Sequence, residues 1–143
     1  MIRILLFLCA IGAFLFSSGC KTTMVGQPSD FEGPRFEFGS GGGITGLYNT
    51  YHLLQNGQLF KADAKGATKE VAQLTKAEVK AVFAKAKKID LATMDYNKPG
   101  NFNYYINYTL KGKTAKTQWA DNKAAPAGLV ELYKQLSALT EKK

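Results

Sequence analysis

The sequence predicts an α+β domain: an antiparallel sheet of four to five strands with two amphipathic helices on one face. Three observations carry this prediction. Residues 102–110 alternate between apolar and polar side chains, an Asn-Gly pair separates two apolar runs, and two later segments repeat apolar residues at helical spacing. Strands grouped in pairs, each group followed by a helix, favour α+β layers over a parallel doubly wound sheet. The predicted order is strand, strand, strand, helix, strand, strand, helix.

An apolar segment precedes this domain. Arg3 is followed by an uncharged run, residues 4–16, and then by small polar residues. The run is too short to span a hydrocarbon core about 30 Å thick, and a basic, then apolar, then small-residue order is typical of a secretory signal peptide. We therefore interpret residues 1–19 as a signal peptide.

The residues Ser17-Ser18-Gly19-Cys20 end this segment and resemble the lipobox of bacterial lipoproteins, whose cysteine is acylated and becomes the new N-terminus. Position 17 departs from the pattern, which usually has an aliphatic residue there, so ordinary signal-peptidase cleavage before Cys20 is the alternative. The resemblance implies acyl chains such as palmitate on Cys20 and a membrane-anchored address in the cell envelope. Lys21, where aspartate often retains such proteins at the inner membrane, implies the outer membrane of a two-membrane bacterium.

Removal of residues 1–19 also removes Cys9, so the mature chain has one cysteine and cannot form an internal disulfide. The full chain has 19 basic and 11 acidic residues, a formal charge of +8. Many of the lysines fall on the predicted helices, where solvated faces need them. Because the protein is predicted to be exported, we expect no nucleic acid partner.

The mature chain is predicted to begin with a flexible tether, residues 20–33, because this stretch is rich in threonine, glycine, serine and proline. Residues 34–143 are then predicted to form one α+β domain. Its first element is a short strand at Arg35-Phe36-Glu37-Phe38, where apolar and charged residues alternate.

A glycine-rich stretch follows at residues 39–46. Residues 41–46 match G-x-G-x-x-G, but a dinucleotide site needs a helix directly after the glycine turn, and residues 47–54 favour a strand. We interpret the stretch as a connection between two strands. Exposed loops often carry binding function, so four of its residues are candidate partner contacts. They are Gly41, Gly42, Gly43 and Thr45.

The Asn56-Gly57 pair predicts a type I′ hairpin turn between strands at about residues 46–55 and 58–63. Farther on, Thr75-Lys76-Ala77-Glu78 predicts a capping box at the start of a helix over residues 76–89.

The second half of the domain starts with a predicted loop at residues 91–101, rich in turn residues. Residues 102–110 are predicted to form a half-buried strand, which turns at Lys111-Gly112 into a partner strand ending near Trp119. Pro126 fits the first turn of a final helix.

No motif in the sequence predicts a catalytic centre. His52 is the only histidine, and the H-E-x-x-H, C-x-x-C and G-x-S-x-G motifs are absent. The acidic residues fall mainly in predicted turns and helix ends, where they cap or are solvated. We therefore expect no metal, no cofactor and no enzymatic activity. Two carboxylates that converge as in a glycosidase would be the enzymatic alternative.

Tyrosines supply the remaining candidate contacts. Tyr51 and Tyr105 are predicted to be exposed and to offer aromatic surface to an envelope protein or a glycan. The early Gly-Gly-Gly-Ile-Thr-Gly turn, the middle helix, the residues Pro99 to Tyr104 and the closing helix together resemble small uncharacterised lipoprotein domains of bacteria. The layout is also similar to emfourin-type inhibitors of thermolysin-like metalloproteases. The leading expectation is a lipid-anchored, non-enzymatic binding module, and the second resemblance implies a protease inhibitor as the alternative.

Overall fold

Seven strands form one sheet in the computed structural model, which describes residues 23–121 and 123–142. The predicted signal peptide, Cys20 and Lys21 lie outside these residues. The strands run in the order β4-β3-β2-β1-β6-β7-β5, and every neighbouring pair is antiparallel except β5 and β7. They are β1 (Arg35–Gly42), β2 (Leu47–Leu54), β3 (Gln58–Ala62), β4 (Thr68–Gln73), β5 (Tyr96–Lys98), β6 (Phe102–Leu110) and β7 (Lys113–Ala120). The helices are α1 (Lys76–Lys88) and α2 (Ala127–Thr140).

The α+β class is confirmed, but the prediction of four to five antiparallel strands is wrong. β4 and β5 account for the difference. β4 is a largely exposed edge strand without apolar alternation, and its register on β3 shifts at Leu59 and Phe60. β5 lies within the segment predicted as a loop and pairs in parallel with β7. Both strands form because a neighbouring strand offers free hydrogen-bonding groups, a tertiary effect that local propensity does not report.

Both helices pack on one face of the sheet. Phe36 of β1 is completely buried there, with its ring centroid 4.6 Å from that of Phe83 on α1 and 4.9 Å from that of Tyr108 on β6. The helices contribute their apolar stripes to the same core, as periodicity predicts. The buried helix residues are Val79, Val82, Ala86, Leu129, Leu132, Leu136 and Leu139.

The capping box at the start of α1 is present. The Thr75 hydroxyl accepts a hydrogen bond from the Glu78 backbone amide, and the Glu78 carboxylate accepts one from the Thr75 amide. Hydrogen bonds from Lys142 and from Thr75 lower the pKa of Glu78 from 4.5 to about 2. At the second helix, Pro126 has extended ψ and serves as the N-cap, so α2 begins one residue later, at Ala127.

One of the two predicted hairpin turns differs from its predicted type. β2 and β3 are joined as predicted, but only Gly57 of the Asn-Gly pair has positive φ, at 93°, so the turn is not type I′. Gly57 donates its amide to the Leu54 carbonyl, which gives a three-residue loop closed by a left-handed glycine. Lys111 and Gly112 both have positive φ, 51° and 76°, and form the two-residue turn that type I′ geometry requires.

Some residues of the predicted tether contact the hairpin between β2 and β3. Val25 and the Gln58 side chain exchange two hydrogen bonds of 2.9 Å each, and Asn56 donates to the Thr23 carbonyl. Pro28 is buried. These contacts form because a polar, proline-containing stretch can pack when a strand supplies its hydrogen-bond partners.

Candidate functional site

The sheet face opposite the helices is mostly polar and glycine-rich along its three central strands. Side chains alternate along a strand, so Glu37, Gly39 and Gly41 of β1 share this face. We call it the open face. Its cross-strand neighbours are Tyr48, Thr50 and His52 on β2 and Asn103, Tyr105 and Asn107 on β6.

Two glycines on the open face let β1 and β2 approach closely. A Cβ atom on Gly39 would lie 1.8 Å from the Asn49 carbonyl oxygen, and one on Gly41 would lie 2.2 Å from the Leu47 carbonyl oxygen. The Tyr48 ring also lies over Gly41, with Cγ 2.8 Å from that Cβ position. No side chain fits at either position, so the glycines hold the strands and the tyrosine ring in place.

The connection between β1 and β2, residues 43–46, and the first two residues of β2 form a glycine-built turn, residues 43–48, that we call the tip. Gly42, Gly43 and Gly46 have φ of 106°, 67° and 62°, a region that other residues rarely adopt. The Gly43 amide donates to the Asn101 carbonyl at 2.7 Å, and a Cβ on Gly42 would lie 2.6 Å from the same oxygen. The tip is therefore attached to the turn before β6.

Exposed apolar side chains concentrate at the tip. Ile44 is fully exposed, Leu47 is 61% exposed and Tyr48 is 42% exposed. Among the described residues, the other large exposed hydrophobic side chains are Met24 and Val71, which lie elsewhere. A single exposed apolar residue is ordinary, but a cluster on a fixed turn is typical of a contact surface.

Tyr105 connects the tip to the open face. Its hydroxyl lies 2.6 Å from the Thr50 hydroxyl, and its ring meets Tyr48 edge-on at 5.9 Å. Burial is the main cause that raises the pKa of Tyr105 to about 12. At neutral pH the phenol is therefore protonated and serves as a positioned hydrogen-bonding group.

A shallow cavity of about 360 Å³ lies beside these tyrosines. Its walls supply amides, hydroxyls and one charge of each sign, groups that can hydrogen-bond to a peptide or a sugar. It is lined by Tyr48, Asp95, Asn97, Tyr105, Asn107, Lys116, Thr117 and Gln118.

His52 and Glu37 form the only histidine–carboxylate contact among the described residues. His52 Nδ1 lies 3.9 Å from Glu37 Oε2, and Asn107 donates to Glu37 Oε1 at 3.0 Å. Burial of the ring lowers the pKa of His52, and the attraction of Glu37 opposes this only in part. The imidazole is therefore neutral at pH 7. Within residues 23–121 and 123–142, no group of three histidine, cysteine or acidic side chains is placed to hold a metal ion.

The structure brings most of the predicted contact residues together. Gly41, Gly42, Gly43 and Thr45 lie at or next to the tip, and Tyr105 lies on the adjacent open face. Tyr51 does not join them: it lies on the helix-covered face, stacked on Phe38 at 5.8 Å. Glu37 and His52 point the other way because neighbouring residues alternate in direction along a strand.

Sequence reasoning missed the apolar members of the tip. Ile44 lies in the stretch interpreted as a strand connection, and Leu47 was assigned to the strand that follows it. An aliphatic residue next to a turn glycine is a usable signal, because connecting turns run over the protein surface.

No family model matches the chain, and no curated protein is significantly similar to it. None of the helices in the described part of the chain is long and apolar enough to cross a membrane.

Proposed function

We propose that the chain is a non-enzymatic binding module of the cell envelope, anchored in the outer membrane through acyl chains on Cys20, whose partner is another protein. The exposed apolar cluster of the tip is the observation that supports a binding role. Ile44 and Leu47 lie on a turn fixed by three positive-φ glycines, so little conformational freedom is lost when a partner covers them.

A protein partner fits the tip better than a glycan. Sugars are recognised by aromatic faces combined with hydrogen-bonding groups, whereas the two most exposed apolar side chains of the tip are aliphatic. Buried aliphatic and aromatic anchors surrounded by polar groups are typical of protein interfaces. The open face supplies that polar rim through Thr50, Tyr105 and Asn107.

The test is capture of a partner from envelope extract by the full chain and by two variants. Ile44→Asp combined with Leu47→Asp places charges on the tip, and we expect the partner to be lost. Val71→Asp is the matched control, because Val71 is an exposed valine on the edge strand β4. Equal capture by all three proteins would contradict the role of the tip. Release of the bound material by glycosidase treatment alone would contradict a protein partner.

The anchor requires its own test, because it rests on the lipobox resemblance. Acyl chains contribute about 0.8 kcal/mol for each buried methylene, and stable attachment takes more than one chain. We expect mass spectrometry of the mature N-terminus to find acylated Cys20, and Cys20→Ser to release the protein from membranes. An unmodified thiol, or membrane fractionation unchanged in the variant, would contradict the anchor without affecting the tip.

The tip also favours the second proposal, an inhibitor similar to the emfourin type. An inhibitor must present an exposed and conformationally fixed loop to an enzyme cleft, and the fully exposed Ile44 on its glycine turn meets this requirement. We expect the wild-type chain and Val71→Asp to reduce the activity of a thermolysin-like protease, and the double tip variant to be inactive. Unchanged protease activity at micromolar wild-type protein would remove this proposal.

A further inference from the structure

A second cavity, separate from the tip, lies between α1 and the sheet. It has a volume of about 1160 Å³, slightly above the usual range of small-molecule sites. Its walls are mostly hydrocarbon, and Asp90 is the only acidic residue among them. The apolar wall is formed by Leu74, Val79, Phe83, Leu91, Tyr108 and Leu110.

Three lysines of α1 stand along this cavity. Lys76, Lys80 and Lys87 follow one another at spacings of four and seven residues, so they share one stripe of the helix. All three are exposed, and none forms an ion pair with a carboxylate in the described part of the chain. By contrast, Lys85 of the same helix pairs with Glu131 of α2.

The single acidic group of the cavity is already engaged. Asp90 Oδ2 accepts a hydrogen bond of 2.7 Å from the Thr93 hydroxyl. The cavity therefore combines an apolar interior with an excess of positive charge at its exposed edge, and an occupant must match both features.

We propose that this cavity binds a fatty acid, with the acyl chain against the apolar wall and the carboxylate beside Lys80 and Lys87. The match of charge and of apolar surface argues for this occupant. A neutral chain would leave the lysine stripe without a partner, and a cationic amphiphile would be repelled by it. The cavity also opens beside Met24 and Asn56, at the end of the sheet opposite the tip, so both sites can be occupied at once.

The direct test is calorimetric titration of the full exported protein, freed of detergent, with dodecanoate below its micelle concentration. Dodecanol is the control ligand, because it has the same chain length and no charge. We expect dodecanoate to bind, and dodecanol to bind up to about fivefold more weakly, because exposed ion pairs contribute modestly to affinity. Absence of dodecanoate binding, or equal affinity for both ligands, would overturn the proposal.

Two matched pairs of variants locate the site. Ala84→Trp fills the cavity from an exposed lining position and should weaken dodecanoate binding at least about tenfold. Ala81→Trp, an exposed alanine on the same helix outside the cavity, should leave binding unchanged. Equal binding by both tryptophan variants would place the ligand elsewhere and overturn the assignment.

Two double lysine variants test where the carboxylate binds, and they remain informative if Ala84→Trp fails to fold. Lys80→Gln with Lys87→Gln should remove the preference for dodecanoate over dodecanol. Lys88→Gln with Lys134→Gln removes the same charge from exposed helix positions outside the cavity and should keep that preference. A preference lost in both double variants, or in neither, would contradict a headgroup site.

Two further variants test whether the cavity is independent of the tip and whether another ligand occupies it. The tip variant Ile44→Asp, Leu47→Asp should bind dodecanoate normally, whatever its effect on partner capture. Binding by Cys20→Ser but not by the wild-type protein would overturn the proposal in favour of the chain's own acyl groups as the occupant.

Discussion

The two faces of the sheet come from the same strands but follow different rules. On the covered face, β1 presents Phe36 and Phe38, both buried against the helices. On the open face the intervening positions are Glu37, Gly39 and Gly41. The covered face is filled by large apolar side chains, whereas the open face combines close backbone approach with hydrogen bonding.

This difference teaches where stability and recognition reside. The covered face is continuous with the helical core, so its residues determine the free energy of unfolding. The tip exposes apolar side chains, and the open face carries polar groups that hydrogen-bond mainly to one another. Mutations on the two faces should therefore have separable effects, and four measurements test that separation.

The largest expected effect is on the covered face. Phe36→Ala removes a completely buried ring that contacts Phe83 and Tyr108, and should lower the free energy of unfolding by about 3–5 kcal/mol. Ile44→Ala removes a fully exposed side chain and should change it by no more than about 0.5 kcal/mol. Urea denaturation measures both. Similar losses in the two variants would break the distinction between the faces.

The next effect concerns the glycines that build the tip. Gly42→Ala places a methyl group 2.6 Å from the Asn101 carbonyl at a φ of 106° and should cost about 1–3 kcal/mol. Gly26→Ala is the control, because nothing lies within 4 Å of its Cβ position. Thermal unfolding compares the two. A neutral Gly42→Ala variant would show that the turn is not fixed as described.

A smaller effect is expected where α1 begins to cover the sheet. Thr75→Ala removes the hydroxyl that caps the helix and should destabilise the protein by about 1 kcal/mol. Thr75→Ser keeps the hydroxyl and should recover most of this loss. Equilibrium denaturation of the two variants measures the difference, and equal loss in both would assign the effect to the lost methyl group instead.

The smallest effect is a pH dependence on the open face. The pKa of His52 in the folded protein lies below its ordinary value of 6.5, chiefly because the ring is buried. The unfolded chain therefore binds a proton more readily, and stability should fall as the pH drops below 6.5 toward the lower folded-state pKa. His52→Gln should show a shallower decrease between pH 7.5 and about pH 5.5 in the same denaturation experiment. A steeper decrease would contradict the direction of the shift.

Local patterns predicted the helices and the central strands far better than the two edge strands. The helix bounds, the capping box and the strand at residues 102–110 follow from periodicity and capping chemistry. β4 and β5 could not be predicted from local patterns, because their pairing depends on neighbours distant in sequence. The glycine stretch was identified correctly as a strand connection. The sheet face on which Tyr51 lies was not, because it depends on strand register, and a one-residue shift moves a side chain to the opposite face.

The contacts of residues 23–25 and the tip lie at opposite ends of β2. β2 starts with Leu47 at the tip and ends with Leu54, just before the hairpin where Gln58 holds Val25. Strands rise about 3.3 Å per residue, so these two ends lie about 23 Å apart. A pull applied at the tip and resisted at Val25 would run along β2. The ladder bonds on either side of that strand would then be loaded in parallel, as shear, rather than opened one at a time.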